Sequence, residues 1–239
     1  MRARARARRS RPVTDLVATM KHPLHTPWFF SAAHRQRNGT LSERKALPSV
    51  AYVEDFWALT AHLVSPSALP VHTTVYLFRS GLEPRWEAFP DGGAWSITVA
   101  RECVSGETLD AAWEGTMLAA IGEQLHHGDG DEVIGCELSL RKAHAKMSLW
   151  TRSAECEAAQ RDIAQRWRAS WTAVTGNAAD WQFCYVAHAA KRRAARTTRS
   201  SSAATLSADA DPPLYVEPMI STPSTRDDQQ QASAAFSIS

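Results

Sequence analysis

A tryptophan and a glutamate, Trp86 and Glu87, stand side by side in a loop. Residues 79–93 around them are punctuated by glycine and proline, as is typical of a connection between strands, where a large aromatic side chain has no obvious core to enter. The pair joins the π face of an indole to a carboxylate with two acceptor oxygens, a combination suited to ligand binding. The alternative interpretation is that Trp86 covers the edge of the core beside a solvated Glu87.

A cation and a second indole are predicted to share one face of a strand. Residues 145–151 have β-type composition, and alternate side chains of a strand point to opposite faces. Lys146 and Trp150 therefore point the same way, while Met147 and Leu149 point the other way, towards helices.

Carboxylates and imidazoles cluster after the second predicted helix. The members are Glu123, His126, His127, Asp129, Asp131 and Glu132. Such groups could hold a metal ion for a hydrolase, although a solvated helix end and turn is the simpler interpretation. The four cysteines stand 20 or more residues apart, without a CxxC pair, so we expect neither a metal site nor a disulfide framework. Nucleophile elbows and phosphate loops are not found, and we expect no cofactor and no catalysis.

Hydrophobic periodicity predicts the elements that position these residues. Apolar residues at three- and four-residue spacing predict amphipathic helices over residues 52–64, 108–125 and 154–171. Tryptophans on the apolar stripes of the last two helices are predicted to lie in the core: Trp113, Trp167 and Trp171.

Short β-type runs predict five strands, over residues 72–78, 95–100, 133–141, 145–151 and 181–187. A connection of only three residues, 142–144, makes the third and fourth of these an antiparallel hairpin. The fold class is therefore α+β, an antiparallel sheet with three helices on one face.

Charge and composition divide the chain into three parts. Residues 1–20 carry six arginines and one aspartate, whereas residues 21–190 have more acidic than basic side chains. Residues 191–239 are rich in Ala, Ser, Thr, Gln and Pro, a composition that buries too little apolar surface to fold. We expect a basic disordered tail over 1–20, a folded domain over 21–190 and a mostly disordered tail over 191–239. An acidic domain argues against broad, sequence-blind phosphate binding, so any nucleic-acid site must be local.

Seven motifs, in order and approximate spacing, resemble the cap-binding translation initiation factor family (initiation factor 4E). They are His22-Pro23-Leu24, Trp28-Phe29-Phe30, residues 53–59 (VEDFWAL), residues 82–87 (LEPRWE), residues 93–98 (GAWSIT), Ile121-Gly122-Glu123 and Tyr185 with His188. The match spans roughly residues 21–190 and covers neither tail. It implies a curved sheet with the helices on its convex face and a binding site for the 7-methylguanosine cap of messenger RNA on its concave face.

The resemblance also implies roles for individual side chains. Trp86 would stack on the methylated, cationic guanine, and Glu87 would accept hydrogen bonds from its ring N–H and exocyclic amine. Trp150 would lie beside the N7 methyl group, and the triphosphate would meet the basic side chains. The expected cap-binding residues are Trp86, Glu87, Arg141, Lys142, Lys146, Trp150 and His188.

Two features depart from the family's cap site. The family places a second aromatic ring over the base from the loop after Trp28-Phe29-Phe30, but residues 31–49 contain no Trp, Tyr or Phe. Planar substitutes available there are His34, Arg35 and Arg37, for which loop solvation is the simpler interpretation. A second phosphate-binding lysine is expected where Ala143 stands, so either the adjacent Lys142 compensates or the cap affinity is low.

The helical face would be a second functional surface. Positions matching the family's docking site for a scaffold protein (initiation factor 4G) or a repressor are His22, Pro23, Val53, Trp57 and Leu118. Periodicity alone would place Trp57 in the core, whereas the resemblance implies an exposed ring that anchors a partner helix. Glu114-Gly115 replaces the Leu-Glu of the family pattern, so the partner peptide is expected to differ from the usual one.

The leading hypothesis is a cytoplasmic binding module, monomeric outside its complex, that captures capped messenger RNA and links it to a scaffold. No run approaches the ~20 apolar residues that a membrane span needs. An arginine-rich start is shared with mitochondrial transit peptides, but residues 1–20 lack a convincing apolar face. Two other hypotheses stay open: a hydrolase that uses the acidic cluster, and a related protein-interaction module or repressor with weak or lost cap binding.

Overall fold

The computed structural model describes residues 21–36, 42–126, 132–175 and 181–190. Both predicted tails, 1–20 and 191–239, lie outside these ranges, and the three-part division of the chain stays a prediction. Within the described ranges, no helix is long and apolar enough to cross a membrane.

Seven strands build one antiparallel sheet. They are β1 (Pro23–His34), β2 (Lys45–Tyr52), β3 (Thr73–Arg79), β4 (Gly93–Ala100), β5 (Val133–Leu140), β6 (His144–Thr151) and β7 (Gln182–Ala187). Their order across the sheet is β2-β1-β3-β5-β6-β4-β7. The five strands from β3 onwards match the predicted ones to within about two residues, and β5 and β6 form the predicted hairpin.

Two strands, β1 and β2, were not predicted. Each contains a proline after its first residue, Pro27 in β1 and Pro48 in β2, and a proline inside a run argues against a strand because it removes a ladder N–H. Both prolines are accommodated here. β2 is an edge strand, and Pro27 falls in the stretch between Pro23 and Trp28 where the register of the β1–β2 pair shifts.

Three helices pack on one face of the sheet: α1 (Val53–Thr60), α2 (Gly106–Ile121) and α3 (Glu157–Thr175). α2 begins after Ser105, whose hydroxyl accepts a hydrogen bond from Thr108 N at 3.1 Å. It ends earlier than predicted because Gly122 and Glu123, the latter with φ of 53°, turn the chain out of the helix. The predicted fold, a curved antiparallel sheet covered by three helices on its convex face, is confirmed.

The main core lies between the sheet and the helices and is dense in tryptophan. Trp113, Trp167 and Trp171 are all buried, which confirms the prediction from their helical spacing. Trp167 also joins α3 to α2, since its Nε1 donates to Thr116 Oγ1 at 2.9 Å. Met147 and Leu149 of β6 belong to the same core, so the opposite face of this strand is the one that the helices leave uncovered.

Candidate functional site

The uncovered face of the sheet, called the concave face below, carries a second cluster of aromatic rings. The rings are Phe29, Tyr76, Phe78, Trp86, Phe89 and Trp150. Sheet register places Gly135 between Phe78 on β3 and Trp150 on β6. A Cβ at Gly135 would overlap the Phe78 ring, so the glycine lets that ring lie across β5 and meet Trp150 edge-on, with centroids 5.4 Å apart.

Trp86 and Glu87 lie in a single 3₁₀ turn, Trp86–Ala88, at the margin of the concave face. The turn is closed by a hydrogen bond from Phe89 N to Trp86 O at 3.2 Å. The Trp86 ring is partly buried and packs against the aromatic cluster, while the neighbouring Glu87 is exposed. The pair therefore presents an indole supported from beneath and a carboxylate that a ligand can reach.

Two side chains from distant parts of the chain tether this loop. Before the turn, Arg44 Nη1 donates to Pro84 O at 3.1 Å, and its Nη2 lies 3.9 Å from Glu83 Oε2. After the turn, His188 Nδ1 donates to Phe89 O at 2.8 Å. Because Trp86 and Glu87 lie between two tethered points, their placement depends on residues 40 or more positions away in either direction.

His188 and Trp150 form the floor beside this turn. The His188 ring is buried and lies edge-on to the Trp150 ring, with centroids 5.0 Å apart. Trp150 is only 6% exposed, so little of its indole is open to a ligand. Its Nε1 donates to Glu137 Oε2 at 3.2 Å, which fixes the orientation of the indole from the neighbouring strand.

The predicted phosphate-binding residues lie in or near the turn that joins β5 to β6. Lys146 stands opposite Ser139 on β5 and Thr98 on β4, and its side chain is partly exposed. Lys146 and Trp150 share this face four residues apart, a separation of about 13 Å along the strand. Arg141 and the exposed Lys142 lie in the turn between β5 and β6.

Charges of both signs act on the pKa of Tyr76, which lies on this face opposite Glu137 of β5. Burial raises the pKa of Tyr76 to about 12, and the nearby Glu137 carboxylate adds to the increase. Arg44 and Arg141 act on the same pKa in the opposite direction. Two cations and one carboxylate from different parts of the chain therefore act on the same hydroxyl.

The region expected to replace the missing second ring is only partly described. His34 and Arg35 are exposed at the end of β1, and Arg37 lies outside the described residues. Sequence reasoning overlooked Arg44, seven residues after Arg37. Its role depends on its position beside the Trp86 loop, 40 residues away in the chain, which no local pattern reveals.

We give the name partner face to the five residues predicted to bind a partner, which are His22, Pro23, Val53, Trp57 and Leu118. Val53 N donates to His22 O at 2.9 Å, which ties the start of α1 to the chain before β1. His22 Nδ1 lies 2.6 Å from Glu54 Oε1, and this side-chain hydrogen bond, with backbone donors, lowers the pKa of Glu54 to about 2. Leu118 is partly buried on α2.

Trp57 is 45% exposed, more than any other Phe, Tyr or Trp of the described residues, and it borders an open apolar cleft. The cleft has a volume of about 380 Å³ and its apolar lining includes Phe30, Leu69, Trp113 and Met117. The exposed Glu114 also lines it, while Gly115 is buried.

Two members of the predicted acidic cluster, Glu123 and Glu132, have structural partners in the described part of the chain. Glu123 forms an ion pair with the buried Arg79, whose Nε also donates to Val133 O at 2.8 Å. Glu132 Oε1 accepts from Ser153 N at 3.0 Å and from Gln160 Nε2 at 3.1 Å. His127, Asp129 and Asp131 lie outside the described residues, and within the described ranges no three His, Cys, Asp or Glu side chains are grouped to hold a metal ion.

Comparison with known proteins points to one family. Residues 23–203 match the family model of eukaryotic initiation factor 4E. The chain is 33% identical over 162 residues to the eukaryotic translation initiation factor isoform 4E of Nicotiana tabacum, covering 65% of this chain and 78% of the relative. It is 36% identical over 154 residues to the isoform 4E of Prunus domestica, covering 62% and 69% of the two chains.

Solved structures of eIF4E-3 share the fold. The Ascaris suum protein in complex with the m2,2,7G cap aligns with a TM-score of 0.64 and 28% identity, over 71% of this chain and 92% of that chain. Caenorhabditis elegans eIF4E-3 in complex with the 4E-binding protein Mextli aligns with a TM-score of 0.65 and 28% identity, over 72% and 97% of the two chains. On the match of the family model, the fold and the relatives together, the chain belongs to the eukaryotic initiation factor 4E family.

Proposed function

We propose that the concave face binds the 7-methylguanosine cap of messenger RNA and that the protein acts in translation initiation. The observation that carries this proposal is the Trp86–Glu87 turn, tethered on both sides at the margin of an aromatic face. Structures of Ascaris suum eIF4E-3 with m7G and m2,2,7G caps, which share this fold, support it.

The chemistry of the methylated base suits the pair. Methylation at N7 makes guanine cationic, and a cation over an indole face gains roughly 0.5–2 kcal/mol. Trp86 supplies that face, and the exposed Glu87 carboxylate supplies two acceptors for the ring N–H and the exocyclic amine. Adenine presents no such pair of donors, so Glu87 selects guanine while Trp86 favours its methylated form.

The phosphate chain would run along β6 towards the turn between β5 and β6. Trp150 would lie beside the N7 methyl, and Lys146 begins about 13 Å away along the strand backbone, so the base and the phosphates would lie towards opposite ends of one groove. Arg141 and Lys142 add charge at the same end. Lys142, exposed in the turn, is the available substitute for the lysine that Ala143 replaces.

Replacing Lys146 with alanine is expected to weaken binding of 7-methyl-GTP and to make it less dependent on salt. Loss of one phosphate contact should reduce the slope of log affinity against log salt concentration by up to about 1. Titrations over a range of salt concentrations measure this slope. Lys21→Ala is the matched control, because Lys21 pairs with Asp55 beside α1, and it should leave the slope unchanged.

Replacing Arg44 with alanine is expected to lower affinity about fivefold, as the loss of one hydrogen bond worth about 1 kcal/mol would. Arg44 acts by holding the Trp86 loop through Pro84 O, so 7-methyl-GMP and 7-methyl-GTP should lose affinity equally. Calorimetric titration with both ligands measures the two losses. A loss confined to the triphosphate would show that Arg44 binds phosphate and would contradict the tethering role.

We propose that the partner face binds an amphipathic helix of a scaffold protein of the initiation factor 4G type or of a repressor. The exposed Trp57 ring and the apolar cleft beside it are the features that such a helix fills. Caenorhabditis elegans eIF4E-3, with the same fold, forms a complex with the 4E-binding protein Mextli. Glu114 in the cleft favours a partner helix that places a basic or polar side chain there.

Retention on immobilised 7-methylguanosine phosphate tests the proposed function. The protein should be retained and should elute with 7-methyl-GTP but not with GTP, and the eluted nucleotide should be intact after incubation with divalent ions. Lack of retention with scaffold binding preserved would identify a protein-interaction module that has lost cap binding, the alternative favoured by the absence of an aromatic residue in 31–49. Turnover of the nucleotide would identify a hydrolase.

A further inference from the structure

A carboxylate occupies the middle of the concave face, where the proposed ligand carries charges of both signs. Glu137 lies on β5, opposite Tyr76 on β3 and Ser148 on β6. Its side chain is partly exposed. Two residues before Glu137, Gly135 pairs with Trp150, and two residues after it, Ser139 pairs with Lys146. The carboxylate therefore stands between the proposed base and phosphate ends of the groove.

Two independent observations show that Glu137 acts on this face. Its Oε2 accepts the hydrogen bond from Trp150 Nε1 at 3.2 Å, which couples it directly to the indole beside the N7 methyl position. It also stands opposite Tyr76 in the sheet, and its negative charge helps to raise the pKa of Tyr76, which Arg44 and Arg141 lower. The carboxylate is therefore part of the electrostatic environment that any ligand of the concave face enters.

We propose that the Glu137 carboxylate is a specificity-determining group of the cap site, which favours a cationic base and disfavours added phosphate charge. This inference rests on the proposed function, since it assigns a role within the same site. It gives the site a second electrostatic preference for the methylated base, beside the Trp86 face, in a chain whose residues 31–49 supply no second ring.

The physical reason is the range of charge interactions at a partly desolvated surface. Between unit charges, attraction and repulsion extend over several ångströms where the effective dielectric constant is about 20. Glu137 attracts the delocalised positive charge of 7-methylguanine, both directly and through the indole whose N–H it polarises. The same charge repels phosphates bound near Lys146 and partly offsets Arg141, so it reduces the gain in affinity from each added phosphate.

Glu137→Gln isolates the charge, because the amide oxygen can still accept the hydrogen bond from Trp150 Nε1. We expect two opposite changes in calorimetric titrations of the full chain. The ratio of 7-methyl-GTP to GTP affinity should fall at least threefold, and the ratio of 7-methyl-GTP to 7-methyl-GMP affinity should rise at least threefold. Glu107→Gln, an exposed carboxylate in the first turn of α2 on the other side of the sheet, is the matched control and should leave both ratios unchanged.

Glu137→Leu removes both the charge and the acceptor and separates the electrostatic role from a purely positional one. If Glu137→Gln keeps both wild-type ratios and only Glu137→Leu loses selectivity, Glu137 merely orients Trp150 and the proposal is overturned. Circular dichroism melting curves establish that each variant folds, and Glu137→Asn serves as a second neutral amide if Glu137→Gln does not. Failure of the proposed function itself would look different, because the wild-type protein would then bind 7-methyl-GTP and GTP equally.

Discussion

Trp57→Ala should weaken binding of a partner helix at least thirtyfold, about 2 kcal/mol, and leave affinity for 7-methyl-GTP unchanged. The ring is 45% exposed and borders the 380 Å³ apolar cleft between α1 and α2, so an incoming helix buries it and removes its water. Aromatic side chains that become fully buried at the centre of an interface account for a large part of the binding energy. Calorimetric titration with a helical fragment of a scaffold protein of the initiation factor 4G type measures the loss.

Trp86→Ala is the reciprocal control, because it changes the concave face and should leave scaffold binding intact. Glu114→Leu tests the acid in the cleft and should strengthen binding of a helix that is apolar at that position. If Trp57→Ala instead unfolds the domain, the ring belongs to the core and the partner face is wrongly placed.

Trp86→Ala should lower affinity for 7-methyl-GTP at least tenfold, about 1.4 kcal/mol or more. The ring supplies the only π face that the proposal places against the base, and the cation–π gain is lost with it. Trp86→Phe keeps a smaller π face and should fall between the wild type and Trp86→Ala. Fluorescence or calorimetric titration measures all three proteins.

Glu87→Gln separates the hydrogen-bonding role from stacking. One amide oxygen remains as an acceptor, but the NH₂ group opposes a guanine donor, so affinity should fall at least tenfold. Because Glu87 is exposed and Trp86 only partly buried, neither substitution should change the melting temperature by more than a few degrees. Unchanged affinity in both Trp86→Ala and Glu87→Gln would contradict the proposed cap site.

Hydrophobic periodicity was sufficient to predict the helices, five of the strands and the burial of their regularly spaced side chains. The helical spacing of Trp113, Trp167 and Trp171 predicted their burial, and strand alternation placed Met147 and Leu149 under the helices. The two missed strands each contain a proline whose cost depends on its surroundings. Pro48 is tolerated at a sheet edge and Pro27 beside a register shift, and neither the edge nor the shift can be recognised from local sequence.

Trp57 shows the limit of periodicity for the partner face. Its spacing places it on an apolar stripe, but α1 has only eight residues and buries only Phe56. A helix this short offers the core one large side chain and leaves the next ring at its margin. The resemblance to a family with a docking site implied this exposure, whereas the apolar pattern alone predicted the opposite.

The sequence named candidate residues of the site, but it did not predict the contacts that hold them in place. Arg44, which tethers the Trp86 loop, acts across 40 residues and has no local signature. Glu137 shares the strand alternation of Ser139 and Arg141, so its position on the uncovered face was accessible from the sequence. Its coupling to Trp150 depends on the pairing of β5 with β6, which strand alternation alone does not fix.

Titration of the wild-type protein with 7-methyl-GTP and with GTP, followed by tryptophan fluorescence, tests the central claim most directly. The two ligands carry the same phosphates and differ in the methyl group and the charge of the base. We predict that 7-methyl-GTP binds at least tenfold more tightly and quenches the fluorescence of a stacked indole. Equal affinity for the two nucleotides would contradict recognition of the cationic base by Trp86 and Glu87.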